Sequence, residues 1–512
     1  MMSTLLPLPF LPHEQALTSL LLGALGCLLL LLLATAPRLS WSKHSSRLPL
    51  PPGSFGFPWI GESFSYLSAL QTGGPQAFVR RRIAKYGSTI FKTRIFFHNT
   101  VIVQGVAANR FIVGAENKQE LHNSWPASAL AIFGKHAPVA MHGAPHRRLR
   151  QIMASCLRPA GLRKLVGRAD RMTEQHFATW WGPRAAETAE MSMLEAVSDH
   201  TFRVACSLLM RAEEDALVKR LHHHFVLWNR GVMSIPLDVP GMAFHRAKRA
   251  RRALQREVAE ILMRKKKAKE SERGVEGEEE EEDLVSLLMA ARDEQGSFLN
   301  GEELQDVVLF LLFAGHDTAT ATLCFALKFL EQHPACYQRV VQEHRTIAAQ
   351  KKPGERLCWA DVQNMKYTWM VFQETLRLRP VGDGGIKVAK QDLVFDGYRI
   401  PKGWKMFFTM SATHEDEKYF SNPHKFDPMR FDLEKVQEEQ INRPPYVFIP
   451  FGMGPHTCPG GDFARMTMSL YLYYLVISRF RWKSIDPDEK YHMSLSLELN
   501  EGYPATIFLE TN

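Results

Sequence analysis

The segment of this chain richest in chemistry is F-G-M-G-P-H-T-C-P-G, residues 451–460. Cys458 follows Gly452, Gly454 and Pro455 there, and helix-forming residues begin at Asp462. That order places the cysteine just ahead of a helix N-terminus, where backbone N–H groups and the helix dipole favour a thiolate. A thiolate so held can ligate a metal or attack a substrate. Gly452, Gly454 and Gly460 let a flat group approach the backbone closely. A second cluster, A-G-H-D-T at 314–318, sets an acid, Asp317, beside an alcohol, Thr318. The plain alternative is a threonine bonded back to its own helix and a solvated aspartate. Glu374 and Arg377, three apart, share one helix face, as do His146 and Arg150, four apart. Taken singly, such pairs are surface ion pairs or exposed basic helix.

These side chains need elements to position them. Asn300 caps a helix, with Glu303 three residues on as in a capping box, and helical character runs to about Gln332. Such a helix is about 48 Å long. Its apolar run, 307–314, is short for a bilayer and is flanked by Asp306 and Asp317, which predicts a central buried helix of a large α-rich domain. The β-branched stretch 88–103 predicts a hairpin turning at His98-Asn99. Asp396-Gly397 predicts a second hairpin between 393–395 and 398–400. Residues 245–273 predict a basic, solvated helix, followed by the acidic run 278–283 on a surface loop. No internal repeat occurs.

With 512 residues, 45% hydrophobic and 23% charged, the chain has ample material for a large core. Its formal charge of +9 suits an anionic membrane surface or an acidic protein partner, or serves solubility alone. No nucleic-acid module is present. The seven cysteines, Cys27, Cys156, Cys206, Cys324, Cys336, Cys358 and Cys458, are odd in number and widely spaced, unlike a disulfide framework. Residues 16–36 carry no charge and are long enough to span a bilayer, at about 20 residues. Arg38, Lys43 and Arg47 follow, so the rest of the chain is expected to face the cytosol. The competing reading is a cleaved signal ending at Ala34-Thr35-Ala36, but Pro37 follows directly and no Lys or Arg precedes the run. The expected organisation is an anchor over 1–37, a basic and proline-rich hinge over 38–61 and one catalytic domain over 62–512.

The pattern F-x-x-G-x-x-x-C-x-G around Cys458 resembles the haem-binding loop of the cytochrome P450 family. Other motifs match in order. Ala314 to Thr318 resembles the family's oxygen-binding motif, Glu374-Thr375-Leu376-Arg377 its E-x-x-R helix, and the segment ending in Arg430-Phe431 its next motif. His146 to Arg150 resembles the early-helix motif whose first and last members contact haem propionates. The resemblance covers nearly the whole chain and is nearest to plant terpenoid and steroid hydroxylases, such as taxoid and triterpenoid oxidases. It implies a mainly α fold with small β-sheets, the cytochrome P450 fold, preceded by one N-terminal transmembrane helix. Cys458 is then the axial thiolate of haem b. The haem contacts implied with it are His146, Arg150, Lys387, His456, Phe451, Gly452, Gly460, Ala314 and Gly315. Asp317 and Thr318 relay protons, and Glu374, Arg377 and Arg430 brace the haem region. The chain departs from the family with His456 where Arg is usual, and with Lys387 where Arg is frequent, each with loss of a bidentate fork.

The reaction so implied is monooxygenation of a lipophilic isoprenoid, a di- or triterpenoid or a steroid. Electrons come from NADPH through a membrane-bound flavoprotein reductase, at the endoplasmic reticulum membrane. Substrate-facing segments are expected at 128–139, 309–313, 381–386 and 497–499. Two other functions fit parts of the sequence: a haem-thiolate isomerase or dehydratase that uses no dioxygen, and a membrane-anchored lipid- or haem-binding protein without activity. The intact Asp317–Thr318 pair favours the first reading over the second.

Overall fold

A computed structural model describes residues 48–271, 283–438 and 443–510. The expected anchor, the hinge up to residue 47 and the acidic run 278–282 lie outside the described residues.

The element order is mostly helical, with four small sheets. The long helix is the axis of the molecule and runs Gly301–Gln332. It starts on the capping box read from the sequence: the Asn300 side chain accepts from Glu303 N, and the Glu303 carboxylate accepts from Asn300 N, both at 2.9 Å. It stops before Pro334, whose ring disfavours helical backbone at the preceding residue. Every residue from Ala319 to Leu327 is buried, so the helix is enclosed on all sides there rather than along one stripe. The cysteine helix, Gly461–Ile477, packs beside it through Tyr471, Leu472 and Leu475, all fully buried. Helix Lys366–Leu378 carries the E-x-x-R pair into the same core.

Helix Ala243–Ser271 corresponds to the basic stretch, but it is not merely solvated. Ala247, Ala250, Leu254, Val258 and Ile261 form a buried stripe at helical spacing, and the charges occupy the other face. It packs on helix Asp215–Val232, which the sequence reading did not single out.

The main sheet has five strands in the order 90–95, 98–103, 405–408, 385–389, 121–123. Its first hairpin exists as expected, but the turn differs. Ile95 pairs with His98 and Arg94 with Asn99, so the turn is Phe96-Phe97, with φ of 48° and 67°. Two successive left-handed residues make a turn whose twist matches the strands, and here phenylalanines adopt it although Asn-Gly is the favoured pair. The second hairpin turns at Asp396-Gly397 as read, with φ of 50° and 75°. The proline-rich stretch docks on the first strand: Gly53 bridges Lys92, and Gly61 bridges Ile95. Added Cβ atoms at Gly53 or Gly61 would collide with strand backbone, so both positions need glycine.

Candidate haem-thiolate site

The cysteine loop is closed by its own backbone. Cys458 N donates to the Phe451 carbonyl at 2.8 Å, and Gly452 and Gly454 take φ of 77° and 69°, which L side chains rarely adopt. Gly460 stands at the head of the cysteine helix, and its N–H donates to Cys458 Sγ at 3.3 Å. Burial pushes the Cys458 thiol above its usual range, and the Gly460 N–H and the Arg150 charge only partly oppose this. The sequence argument for a preformed thiolate is therefore corrected: protein groups alone leave the thiol favoured. A bound metal cation deprotonates such a ligand outright.

Cys458 is exposed by surface area although its surroundings raise its pKa through burial, which describes a sulfur facing an interior space. Thr318 is likewise exposed midway along a mostly buried helix. The two helices meet at Gly315, where an added Cβ would lie 3.3 Å from the Phe463 ring of the cysteine helix. Ala314 and Gly315 are half-buried on the same stretch. Phe451 lies parallel to Trp369 at 6.3 Å and forms a wall of the loop.

Four histidines and two cations gather beside this space. His146, on helix Gly143–Leu157, is buried and stacks on His456 at 4.0 Å, and His142 stacks on His122 at 4.6 Å. Burial, then the neighbouring His456 and Arg150, push His146 down to about 4, so its imidazole is neutral at physiological pH. Burial also pushes Arg150 down, although Arg150 still feels Cys458. Lys387 is buried on strand Gly385–Ala389 and donates to Glu116 Oε1 and Asn123 Oδ1, both at 2.5 Å. His456 Nδ1 lies 3.4 Å from the same Glu116 oxygen. Burial pushes the Glu116 carboxyl up, but His456 and Lys387 outweigh it and hold the group below its usual range. Nε2 of His456 and Nδ1 of His142 are buried without a hydrogen-bond partner. Buried polar atoms left open beside a free sulfur and a glycine-lined loop fit a flat group carrying carboxylates. The residues present therefore suit haem.

The expected acid–alcohol pair is arranged differently from a solvated acid. Thr318 Oγ1 donates to the Ala314 carbonyl at 2.7 Å, the back-bonded form weighed from sequence. Its lone pairs remain available to accept. Asp317 turns to two other elements: it accepts from Asn229 Nδ2 at 3.2 Å on helix Asp215–Val232 and from Ser496 Oγ at 2.7 Å beside strand Leu497–Leu499. Burial pushes its carboxyl up, because these two neutral donors only partly offset the loss of water.

Below the space, Glu374 accepts from Arg377 Nε at 2.7 Å and Nη2 at 2.8 Å, and from Arg430 Nε at 3.3 Å. All three side chains are buried, and Asp427 N donates to the same carboxylate at 2.9 Å. The guanidiniums reach on to the carbonyls of His414 and Asn422, so this knot ties the end of the helical turn Ser411–His414 and the segment 422–430 to helix Lys366–Leu378. Above it, segments 128–139 and 309–313 share one apolar cluster, with Phe133 5.1 Å from Phe313 and 5.5 Å from Trp228. Segment 497–499 packs into another cluster, although Leu497 N donates to the Val381 carbonyl at 3.1 Å. Sequence reasoning missed Glu116, Asn123, Asn229 and Ser496. Their partners are 88 to 271 residues away in the chain, and no local pattern marks them. A separate cleft of about 400 Å³ between Phe202, Val218 and His222 holds none of the expected site residues.

A sulfur facing an interior space, just ahead of a helix that meets the one carrying the acid–alcohol pair, is the arrangement a haem-thiolate protein needs. Comparison with known proteins agrees. Residues 51–501 match the model of the cytochrome P450 family. Similar proteins include beta-amyrin 28-monooxygenase of Kalopanax septemlobus, 34% identical over 92% of this chain and 94% of that protein. They also include protopanaxadiol 6-hydroxylase of Panax ginseng, 35% identical over 90% of this chain and 94% of that protein. A cyanobacterial CYP120A1 solved with retinoic acid superposes with a TM-score of 0.78 at 30% identity, over 90% of this chain and 99% of that one. The chain belongs to the cytochrome P450 family. It is a cytochrome P450 monooxygenase whose cofactor is haem, with electrons supplied through a reductase.

Proposed function

We propose that this chain hydroxylates a triterpenoid-class substrate, with electrons passed from NADPH by a flavoprotein reductase at the endoplasmic reticulum membrane. The observation that carries the reading is the pairing of Cys458 and Thr318: both are exposed within a buried setting, where the long helix and the cysteine helix meet. The names of the similar plant proteins support the substrate class, and the apolar lining around Phe133, Phe310 and Phe313 suits a rigid hydrocarbon.

In this reading the Cys458 sulfur would hold the haem iron. Arg150, Lys387, His456 and His146 would hold the propionates, while Phe451, Gly452, Gly460, Ala314 and Gly315 would leave room for the flat faces. Bound haem supplies the iron at which dioxygen is activated, and thiolate ligation favours O–O cleavage. One oxygen atom enters the substrate C–H bond, and the other leaves as water with two protons and two electrons. Thr318 accepts and passes a proton at its hydroxyl, and Asp317 resupplies it from a carboxyl that burial keeps protonated more readily than usual. Glu374, Arg377 and Arg430 tie helix Lys366–Leu378 to the segment that precedes the cysteine loop in sequence. The uncharged segment 16–36 anchors the chain, and exposed Phe57, Phe64 and Phe97 add an apolar surface in keeping with a nearby membrane.

The test is to express the full chain with a plant reductase in yeast microsomes and to supply a panel of triterpenes, NADPH and labelled dioxygen. A product carrying one labelled oxygen from a triterpene supports the reading. Turnover of other lipids with none of the triterpenes overturns the substrate class, and product without label overturns the monooxygenase step.

A further inference from the structure

Lys387 has three N–H donors, and the protein uses two of them. One goes to Glu116, at the end of helix Val106–Asn117, and one to Asn123, which lies directly opposite Lys387 in the antiparallel register of strands 121–123 and 385–389. Lysine carries its charge on a flexible four-carbon stem, whereas arginine presents a planar fork. Here two acceptors at 2.5 Å, with the side chain only 6% exposed, leave the ammonium one open N–H in a set direction. The same Glu116 oxygen lies 3.4 Å from His456 Nδ1, while Nε2 of that ring is buried without a partner. Glu116 is itself 2% exposed, and its other oxygen has no partner. One carboxylate therefore touches both residues that stand where arginine is usual, and those two residues keep unused polar atoms.

We propose that Glu116 and Asn123 are positioning residues of the haem propionate site, which turn Lys387 into a one-directional donor and orient His456. The proposal rests on the haem-thiolate reading and deepens it. Arginine supplies direction through its own geometry, and in this chain a lysine and a histidine obtain it from a shared carboxylate and a strand-paired amide.

Purified holoprotein tests this through the rate of haem transfer to excess apomyoglobin and through the reduction potential. Asn123→Ala and Glu116→Gln each speed haem transfer, the first about tenfold, as expected for loss of a hydrogen bond to a charged group. Glu116→Gln also moves the potential positive, because a buried anion is gone from the proposed propionate site, and Asn123→Ala leaves the potential nearly unchanged. Asn123→Asp, which keeps the acceptor, holds haem as the wild type does. In a Lys387→Arg background the effect of Asn123→Ala shrinks, since the fork needs no second acceptor. Wild-type transfer rates in both single variants, with only a lowered unfolding temperature, overturn the proposal, as does an undiminished Asn123→Ala effect with arginine at 387. Should Glu116→Gln not fold, the three position-123 and position-387 measurements decide alone. A wild-type protein without a thiolate-type spectrum is a different failure, that of the haem reading itself.

Discussion

The thiol of Cys458 sits where burial opposes ionisation and only one N–H, from Gly460, points at the sulfur. In the proposed haem site its conversion to a thiolate is coupled to metal binding, and the residue contributes little to folding without it. Cys458→Ala is expected to fold with an unchanged far-ultraviolet circular dichroism spectrum, yet to give no thiolate-type Soret band in the reduced carbon monoxide difference spectrum. A retained band would remove Cys458 as the ligand. Thr318 presents a different case, because its hydroxyl already has an acceptor in the Ala314 carbonyl. Thr318→Ala loses that bond from an exposed side chain whose backbone hydrogen bonds survive, so stability should change by less than about 1 kcal/mol. The expected consequence is lost coupling: NADPH use continues, product falls and peroxide rises. Unchanged coupling would show that the hydroxyl carries no proton.

At the scale of elements, the Glu374–Arg377–Arg430 knot joins helix Lys366–Leu378 to the loops before the cysteine. Breaking a buried pair leaves an uncompensated charge, at a cost of about 3–5 kcal/mol. Arg377→Ala should therefore show that loss in denaturant unfolding, together with poor haem incorporation, while a loss under about 1 kcal/mol would mean that the knot is not holding the region. The Phe96-Phe97 turn is the opposite situation, since two exposed aromatics occupy left-handed backbone and only Phe96 meets a neighbouring ring, that of Tyr66, edge-on at 5.9 Å. Left-handed backbone costs an ordinary L side chain about 1–2 kcal/mol, and Asn-Gly tolerates it, so Asn-Gly at these positions is expected to raise stability by about 1 kcal/mol, read as a higher denaturant midpoint. That turn also shows where sequence reasoning stops. The alternation of β-branched residues made the hairpin legible, but turn chemistry pointed to Asn99, whereas the pairing of Ile95 with His98 set the register. The long helix was legible because its cap and its proline stop are local, and the cysteine loop because its glycines and helix start are adjacent in sequence. Asn229, Ser496, Glu116 and Asn123 were not, because each acts through a partner that only the fold brings near.

At the scale of the whole molecule, Asp317 joins three parts of the chain that are far apart in sequence: the long helix, helix Asp215–Val232 and the loop before strand Leu497–Leu499. Such a bridge could be read as a stabilising tie, but its titration argues otherwise. The folded protein raises the carboxyl above its ordinary value because burial outweighs the two neutral donors. A carboxyl whose pKa is raised on folding binds its proton more tightly in the native state, so its ionisation costs stability as pH rises from the unfolded value of 3.8 through the folded value. Below that window the protonated acid and an asparagine are electrically alike. Asp317→Asn should therefore match the wild type in unfolding temperature in acid and become the more stable of the two as pH rises past the window, with the difference then levelling off. The same variant should lose coupling of NADPH use to product, because an amide cannot donate and recover a proton as a carboxyl does. Unfolding temperature measured against pH for both proteins decides the matter. If Asp317→Asn is the less stable at neutral pH, the carboxylate is a structural tie between the three elements. If it is the more stable but uncoupled, the molecule retains an acid at a cost to its own stability, as expected of a group kept for proton delivery.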